Sequence, residues 1–301
     1  MDKSLPLVIN VILNTNRRED TIECLDSLAK STYANQKTIV LDNHTSDGSV
    51  AAIEANYPDV QIINIENNRG YAGNNNVGIA AAIDQGADWI FVLNEDTILA
   101  PDCIFQLVEV AESDPRIGIV GPMVYHFDEP EIIQTAGGLF DKHLRGEHVA
   151  QNELDTGQFT QPHAVDWISG CGIMVRREVI QDVGMIDERF FYYVEEAEWC
   201  LRAKRAGWQI MHVPQAKLWH KGVQRDYQPK PSVTYYATRN QLLLLSKHNA
   251  KLKTWLVAWG YIMRTITSWT IKPKWRSKRP HRNAMLWGAR DFVLKRWGQM
   301  P

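Results

Sequence analysis

Along the first 124 residues, apolar positions fall into short unbroken runs separated by stretches with helical spacing. The runs LVINVIL (7–13), KTIVLD (37–42), VQIINIE (60–66), DWIFVLN (88–94) and IGIVGPMV (117–124) have strand length and many β-branched residues. Each predicts a strand bounded by polar turns. Between them, residues 18–30, 47–56, 73–85 and 101–113 predict helices, with Ser46 or Asp47 and Pro101 as start signals. Strands apolar on both faces and alternating with helices imply an α/β fold, a Rossmann-like, mostly parallel sheet with helices on both sides. Ligands of such sheets sit beyond the carboxyl ends of the strands. That rule gathers residues 14–17, 42–46, 67–70 and 94–96 around one crevice, because each group directly follows a predicted strand.

The pattern weakens from about 125 to 163, where turns and polar residues predict an irregular region with short strands. Order returns in VDWISGCGIMVRREVI, a strand running into a helix, and in DERFFYYVEEAEWCLRAKRAGW, whose second half is a helix stopped by Gly207. WQIMHVP and AKLWHKG predict two more short strands, and SVTYYATRNQLLLLSKH (232–248) predicts a helix.

With 301 residues, 45% of them hydrophobic, the chain can bury a substantial core. Cys24, Cys103, Cys171 and Cys200 stand too far apart for a metal or disulfide framework, and free thiols in a reducing compartment are expected. The N-terminal apolar run is too short to span a membrane and no cleavage signature follows it, so a cytoplasmic protein is expected. The net charge of −2 hides an asymmetry: residues 251–301 hold twelve Lys or Arg against one acid, Asp291, and the preceding body is acidic. Six of the eleven tryptophans lie in the same tail. A basic, Trp-rich segment on an acidic body predicts a surface for an anionic membrane or packing helices, and the absence of a recognition motif argues against nucleic acid.

The strand DWIFVLN ends in Asn94, Glu95 and Asp96. In an extended chain Asn94 and Asp96 face one side and Glu95 the other, so the first two form a fragment of a hard-cation site; a solvated turn is the plainer reading. Asp42 and Asn43 in LDNHTSDGS offer acceptors for a base or ribose, beside an Asx-turn and helix cap that explain part of the motif. In ENNRGYAGNNNVG, Gly70 and Gly73 permit close backbone approach, Arg69 suits phosphate and Asn74 belongs to an uncharged polar cluster, although the spacing is neither a Walker A loop nor a dinucleotide fingerprint. Glu195, Glu196 and Glu198 crowd a helix start, where the dipole favours acids; one of them could serve as a general base. His220 follows an aromatic strand end, and a ligand role for it requires the fold to bring it to the crevice.

The order of the motifs LNTNRREDTIECLDSL, VLDNHTSDGS, NNRGYAGNNNVGI, DWIFVLNEDTILAPD, SGCGIMVRREVI with its continuation to LWHKG, and YYATRN resembles the inverting family 2 glycosyltransferases of GT-A fold, in their rhamnosyltransferase-like branch. The resemblance covers roughly residues 6 to 245. It implies a catalytic domain over 1–228, with a nucleotide half to about 124 and an acceptor half from about 125, followed by a helical basic segment over 229–301. It implies that Asp96, with Asn94 and His220, holds Mg2+ or Mn2+ on the donor diphosphate. Asp42 would read the base, Asn14, Asn16, Arg17 and Arg69 would line the nucleotide, and Gly170 and Cys171 would shape the sugar pocket. Glu195 and Glu196 match the paired acids, the second being the base. Three departures stand out: Glu95 where the branch often has a neutral residue, Glu196 where Asp is usual, and Thr15 where a tyrosine is frequent. The implied reaction transfers a sugar, with inversion, from a dTDP- or UDP-type donor to a glycan or a polyprenyl-diphosphate-linked acceptor in surface polysaccharide synthesis. An inactive sugar-binding module and a nucleotidyltransferase are the rival readings; the second would need a glycine-rich triphosphate loop that LNTNRRED lacks.

Overall fold

A computed structural model describes residues 5–222 and 224–301. Three βα steps and a fourth strand open the chain: β1 (Val8–Asn14), α1 (Arg18–Ala29), β2 (Gln36–Asp42), α2 (Ser49–Asn56), β3 (Gln61–Asn64), α3 (Gly70–Asp84) and β4 (Trp89–Asn94). There follow β5 (Thr97–Leu99), α4 (Cys103–Ser113), β6 (Ile117–His126), β7 (Ile133–Thr135), the hairpin β8 (Gly138–Phe140) and β9 (Gly146–His148), β10 (His163–Ala164), β11 (Gly172–Arg176) and α5 (Arg177–Val183). A 3-10 turn, Glu188–Phe190, leads into α6 (Glu195–Arg205), β12 (Gln209–His220), α7 (Pro231–Lys247), α8 (Leu252–Ile271), a second 3-10 segment, Pro273–Lys278, and α9 (Arg279–Val293).

The strands order as β10-β12-β6-β11-β4-β1-β2-β3, with β5 on β12 and β7 on β6. Strands β3, β2, β1 and β4 run parallel, whereas β11 is antiparallel to both β4 and β6. The period-two alternation of β1 sends Val8 and Ile12 into one apolar layer and Ile9 and Val11 into the other, so both faces of the sheet are covered. All four cysteines are free and buried.

Two expectations change. WQIMHVP and AKLWHKG are one strand, β12, whose register on β6 slips between Val213 and Lys217; Pro214 has no N–H for the ladder, so the pairing breaks there without ending the strand. Beyond the slip, β12 pairs with β5 and sets His220 opposite Thr97. In the tail, Trp255, Trp259 and Trp269 pack around Leu242, Ile262 and Met285 between α7, α8 and α9, and Trp297 packs near Phe190. Most of the tryptophans expected at a membrane boundary are therefore interhelical packing. No helix among the described residues is long and apolar enough to cross a membrane.

Candidate active site

A crevice of about 380 Å³ opens beyond the carboxyl ends of β1, β2 and β4, lined among others by Thr15, Arg17, Asn43, Asn74, Asp96 and His220. Asp96 is 4% exposed. Its Oδ1 lies 3.2 Å from His220 Nε2 and its Oδ2 2.5 Å from Arg17 Nη1. Burial by itself would push the Asp96 carboxyl up; the contact with His220 and the charges of His220 and Arg17 outweigh it and hold the group below its ordinary value. His220 Nδ1 lies 3.1 Å from Gln134 Oε1, an acceptor that keeps a proton on Nδ1 and turns Nε2 towards Asp96 and Asn94 Nδ2, 3.3 Å away. Gly222 completes the surround, because a Cβ there would press on Asp96 Oδ2 and lie 3.2 Å from His220 Nε2.

Glu95 is neither a surface acid nor turned towards the Asp96–His220 pair. It is 5% exposed. Its carboxylate accepts from the Thr15 backbone N–H at 2.7 Å, from the Thr15 hydroxyl, and from the Thr21 hydroxyl at 3.1 Å. It thus braces the β1–α1 loop that carries Arg17. Burial pushes its carboxyl up.

The other strand-end residues divide. Asn43 lines the crevice, and its buried Oδ1 has no hydrogen-bond partner among the described residues. Asn74 also lines it and holds the loop before α3, accepting from the Arg69 N–H at 2.9 Å. Asp42 turns into an Asx-turn with Thr45. Asn14 is buried and bonded to Ser49 and Thr21, so it braces β1 against α1 and α2 without lining the crevice. Asn16 joins two loops by accepting from the Ser46 N–H at 2.7 Å. Arg69 is engaged by Glu188 on the 3-10 turn and does not stand free for phosphate. Gly70, with φ of +73°, sits directly against Phe191, where a Cβ would collide with its carbonyl and ring.

On the far wall, the Tyr71 hydroxyl donates to the Gly170 carbonyl at 2.5 Å, and a Cβ on Gly170 would lie 3.7 Å from Glu196 Cγ. The Cys171 carbonyl accepts from the Asn94 N–H at 3.1 Å. Burial raises the Cys171 thiol to about 12, and the nearby charges of Asp96 and Glu196 both add to it; residues 170–171 thus touch the end of β4 through Asn94 and lie beside Glu196. Glu195 is buried and Glu196 partly exposed, and each has an Oε2 without a hydrogen-bond partner among the described residues. Burial first and the charge of Glu196 second hold the Glu195 carboxyl well above its ordinary value, so the pair carries one negative charge more readily than two. Glu198 is different: it is fully buried and bonded to Arg202, Lys247 and His248, a structural ion cluster.

The model for glycosyl transferase family 2 matches residues 11–184 of this chain, more than half of its length. The chain belongs to glycosyl transferase family 2. A relative in Mycobacterium tuberculosis, an N-acetylglucosaminyl-diphospho-decaprenol L-rhamnosyltransferase, is 28% identical over 248 residues, 75% of this chain and 80% of the relative. A dTDP-rhamnosyl transferase of Shigella flexneri is 27% identical over 276 residues, 86% of this chain and 88% of the relative. Among solved structures, a mannosyltransferase from Pyrobaculum calidifontis in complex with GDP-Man and Mn2+ superposes with a TM-score of 0.61 at 13% identity, covering 97% of this chain and 88% of the other. The fold of this glycosyltransferase is therefore GT-A, with the C-terminal helices packed on it.

Two residues of this family 2 enzyme, Arg239 and Asn240, escaped sequence reasoning. Phe191, Tyr193 and Val194 all have positive φ, at 64°, 69° and 74°, a conformation that costs non-glycine residues about 1–3 kcal/mol each. The loop they form borders the crevice through Tyr192 and Tyr193 and delivers Glu195 and Glu196. Its carbonyls are held by Arg239 and Asn240 on α7, both fully buried. The only available signal was the motif YYATRN, two polar residues inside a helix that is otherwise apolar on that side.

Proposed function

We propose that this glycosyltransferase moves a sugar, with inversion, from a dTDP- or UDP-type nucleotide sugar to a hydroxyl of a lipid-linked or glycan acceptor, rhamnose being the sugar named for the two relatives above. The observation that carries this reading is a pair of acids, Glu195 and Glu196, each with a buried carboxyl oxygen lacking a partner among the described residues, with Glu196 beside residues 170–171, which touch the end of β4 through Asn94.

Asp96 and His220 fit a divalent cation: both are buried, the imidazole is oriented by the Gln134 contact, and Gly222 adds no side chain against either. Mg2+ or Mn2+ bound there would neutralise charge growing on the departing diphosphate. Arg17, now on Asp96, reaches the same space with a second positive charge. Asn43 and Asn74 offer acceptors and donors to the nucleoside. Glu196 is the more exposed of the two and lies beside Gly170, so it is the carboxylate placed to take the proton of the acceptor hydroxyl. The hydroxyl oxygen then bonds to the anomeric carbon as the nucleoside diphosphate leaves from the opposite face. One displacement needs no enzyme nucleophile, which accounts for a single base.

The acceptor's lipid would be met by α8. Leu252, Leu256, Met263 and Ile271 form one exposed apolar stripe along it, from 59% to 74% exposed. Lys253 and Arg264 flank the stripe, the composition of a helix lying on an anionic membrane.

Glu196→Gln is expected to abolish transfer while titration still shows nucleotide-sugar binding, and Asp96→Ala to abolish the effect of Mn2+ on that binding. Full turnover by Glu196→Gln would overturn the assignment of the base.

A further inference from the structure

Local contacts hold only the first part of the loop from Arg189 to Val194: the Asp187 side chain accepts from the Arg189 N–H, and the Phe191 and Tyr192 N–H groups bond to the Glu188 and Phe190 carbonyls. Val194 is the N-cap of α6, with φ of 74° and no side-chain oxygen to accept from the helix N–H groups. A β-branched residue in the left-handed region, at a position that favours Ser, Thr, Asp or Asn, is a poor choice on both counts. Phe191 and Tyr193 share the same strained half of backbone space. A conformation that the local sequence disfavours three times over persists only if distant residues impose it.

Those residues are on α7. Asn240 Nδ2 donates towards the carbonyls of Phe190, Tyr192 and Tyr193 at 2.8, 2.8 and 2.7 Å. Arg239 Nη2 donates to Phe190 at 2.8 Å and Arg189 at 3.2 Å, and its Nη1 to Gly298 at 2.7 Å. Arg239 Nε donates to Asn240 Oδ1 at 3.0 Å, which fixes the amide so that its NH2 faces the loop. The guanidinium, fully buried, is thus spent on backbone carbonyls and one amide oxygen. The same loop touches the donor side: the Phe191 carbonyl accepts from the Ala72 N–H at 3.2 Å, and Tyr236 of α7 stacks on the Phe191 ring at 5.6 Å.

We propose that Arg239 and Asn240 are positioning residues for sugar transfer: from behind the loop they impose the backbone conformation that sets the acid pair at the edge of the crevice, with Glu196 beside Gly170 and the crevice-lining Tyr71. The inference rests on the acid pair being the reacting base. Neither residue lines the crevice, so their effect is transmitted through the carbonyls of residues 189, 190, 192 and 193.

The test compares Asn240→Ala, Val194→Gly and the double variant by steady-state kinetics, with active sites counted by nucleotide-sugar titration. Asn240→Ala is expected to lower kcat per site by roughly a hundredfold, the usual consequence of an ångström-scale misplacement, while donor affinity holds. Glycine adopts positive φ freely, so Val194→Gly should return part of that loss in the double variant, a rescue that a merely structural role for Asn240 would not give. Unchanged kcat per site in Asn240→Ala, or a loss that Val194→Gly does not relieve, overturns the proposal. Should Asn240→Ala not fold, Arg239→Lys, which keeps the charge and loses the fork, is judged by the same two criteria. Glu196→Gln run alongside separates the two ideas: if it is fully active the acid pair is not the base, whatever the α7 variants do.

Discussion

Replacing Glu95 by alanine removes the acceptor beneath the loop that carries Arg17, and the structure says which donors suffer. The Thr21 hydroxyl keeps the Asn14 side chain and the Arg17 carbonyl as alternative acceptors at 3.2 and 3.1 Å, so it loses little. The Thr15 hydroxyl can rotate to water. The Thr15 N–H, held at 2.7 Å, has no other partner among the described residues and is orphaned, which costs about 1–3 kcal/mol. Loss of its charge-assisted bond to the loop brings the total to about 2–4 kcal/mol, or about 4–8 °C in Tm at the lower slope for long chains. Glutamine should lose about 1 kcal/mol, because its carbonyl accepts from Thr15 and its amide donates to the hydroxyls. The assay is a thermal melt of both variants with nucleotide-sugar titration. Wild-type stability in Glu95→Ala would refute the brace. So would a Glu95→Gln that melts normally yet has lost donor binding, since the carboxylate charge would then belong to the ligand.

Three more outcomes are expected from the acid pair, the ion cluster and α8. The raised Glu195 carboxyl favours folding only while protonated, a contribution fully present below the ordinary value of 4.5 and lost as pH rises through the folded value; Glu195→Gln should therefore melt above wild type at neutral and alkaline pH, the gap closing on acidification, and a pH-independent gap would exclude this account. Burial pushes Glu198 up, but His248, Arg202 and Lys247 outweigh it and hold it below 4.5, so its contribution is present above that value and lost on acidification. Glu198→Leu, which strips Arg202 of its carboxylate and His248 of its acceptor while Lys247 keeps Asp187, should cost about 3–5 kcal/mol at neutral pH by urea denaturation, and less in acid. Leu256→Asp with Met263→Asp should abolish sedimentation with anionic vesicles without lowering activity on a soluble acceptor; unchanged sedimentation would remove the stripe on α8 from the membrane reading.

The sheet was legible because its strands are buried on both faces and so appear as unbroken apolar runs; five predicted strands fall within a few residues of β1, β2, β3, β4 and β6. β12 was split because Pro214 and its polar neighbour Gln215 read as a turn, whereas a slip in register absorbs them. Asn94 and Asp96 both reach His220, but through a turn at residues 95–96 and not the expected extended alternation, and Glu95 borders the same crevice; nothing in the sequence hinted at its burial under Thr15, since that depends on where the β1–α1 loop folds back. Arg69 looked free because its partner, Glu188, lies 119 residues away. The role of Arg239 and Asn240 was invisible for a deeper reason: their partners are backbone carbonyls, which every sequence supplies alike.

The carbonyls of residues 189, 190, 192 and 193 are held from α7, and α7 is in turn tied to the C-terminal segment, through Arg239 to Gly298 and Tyr235 to Asp291. Chain order therefore separates two events in folding. The parallel sheet and the Asp96–His220 side of the crevice draw on residues that precede α7, and can assemble as the chain emerges. On the roles proposed above, the acid pair reaches its place only once α7 and α9 have docked, so a nascent or partly unfolded molecule is expected to bind nucleotide sugar before it can transfer from it, and competence is reached in the final packing step.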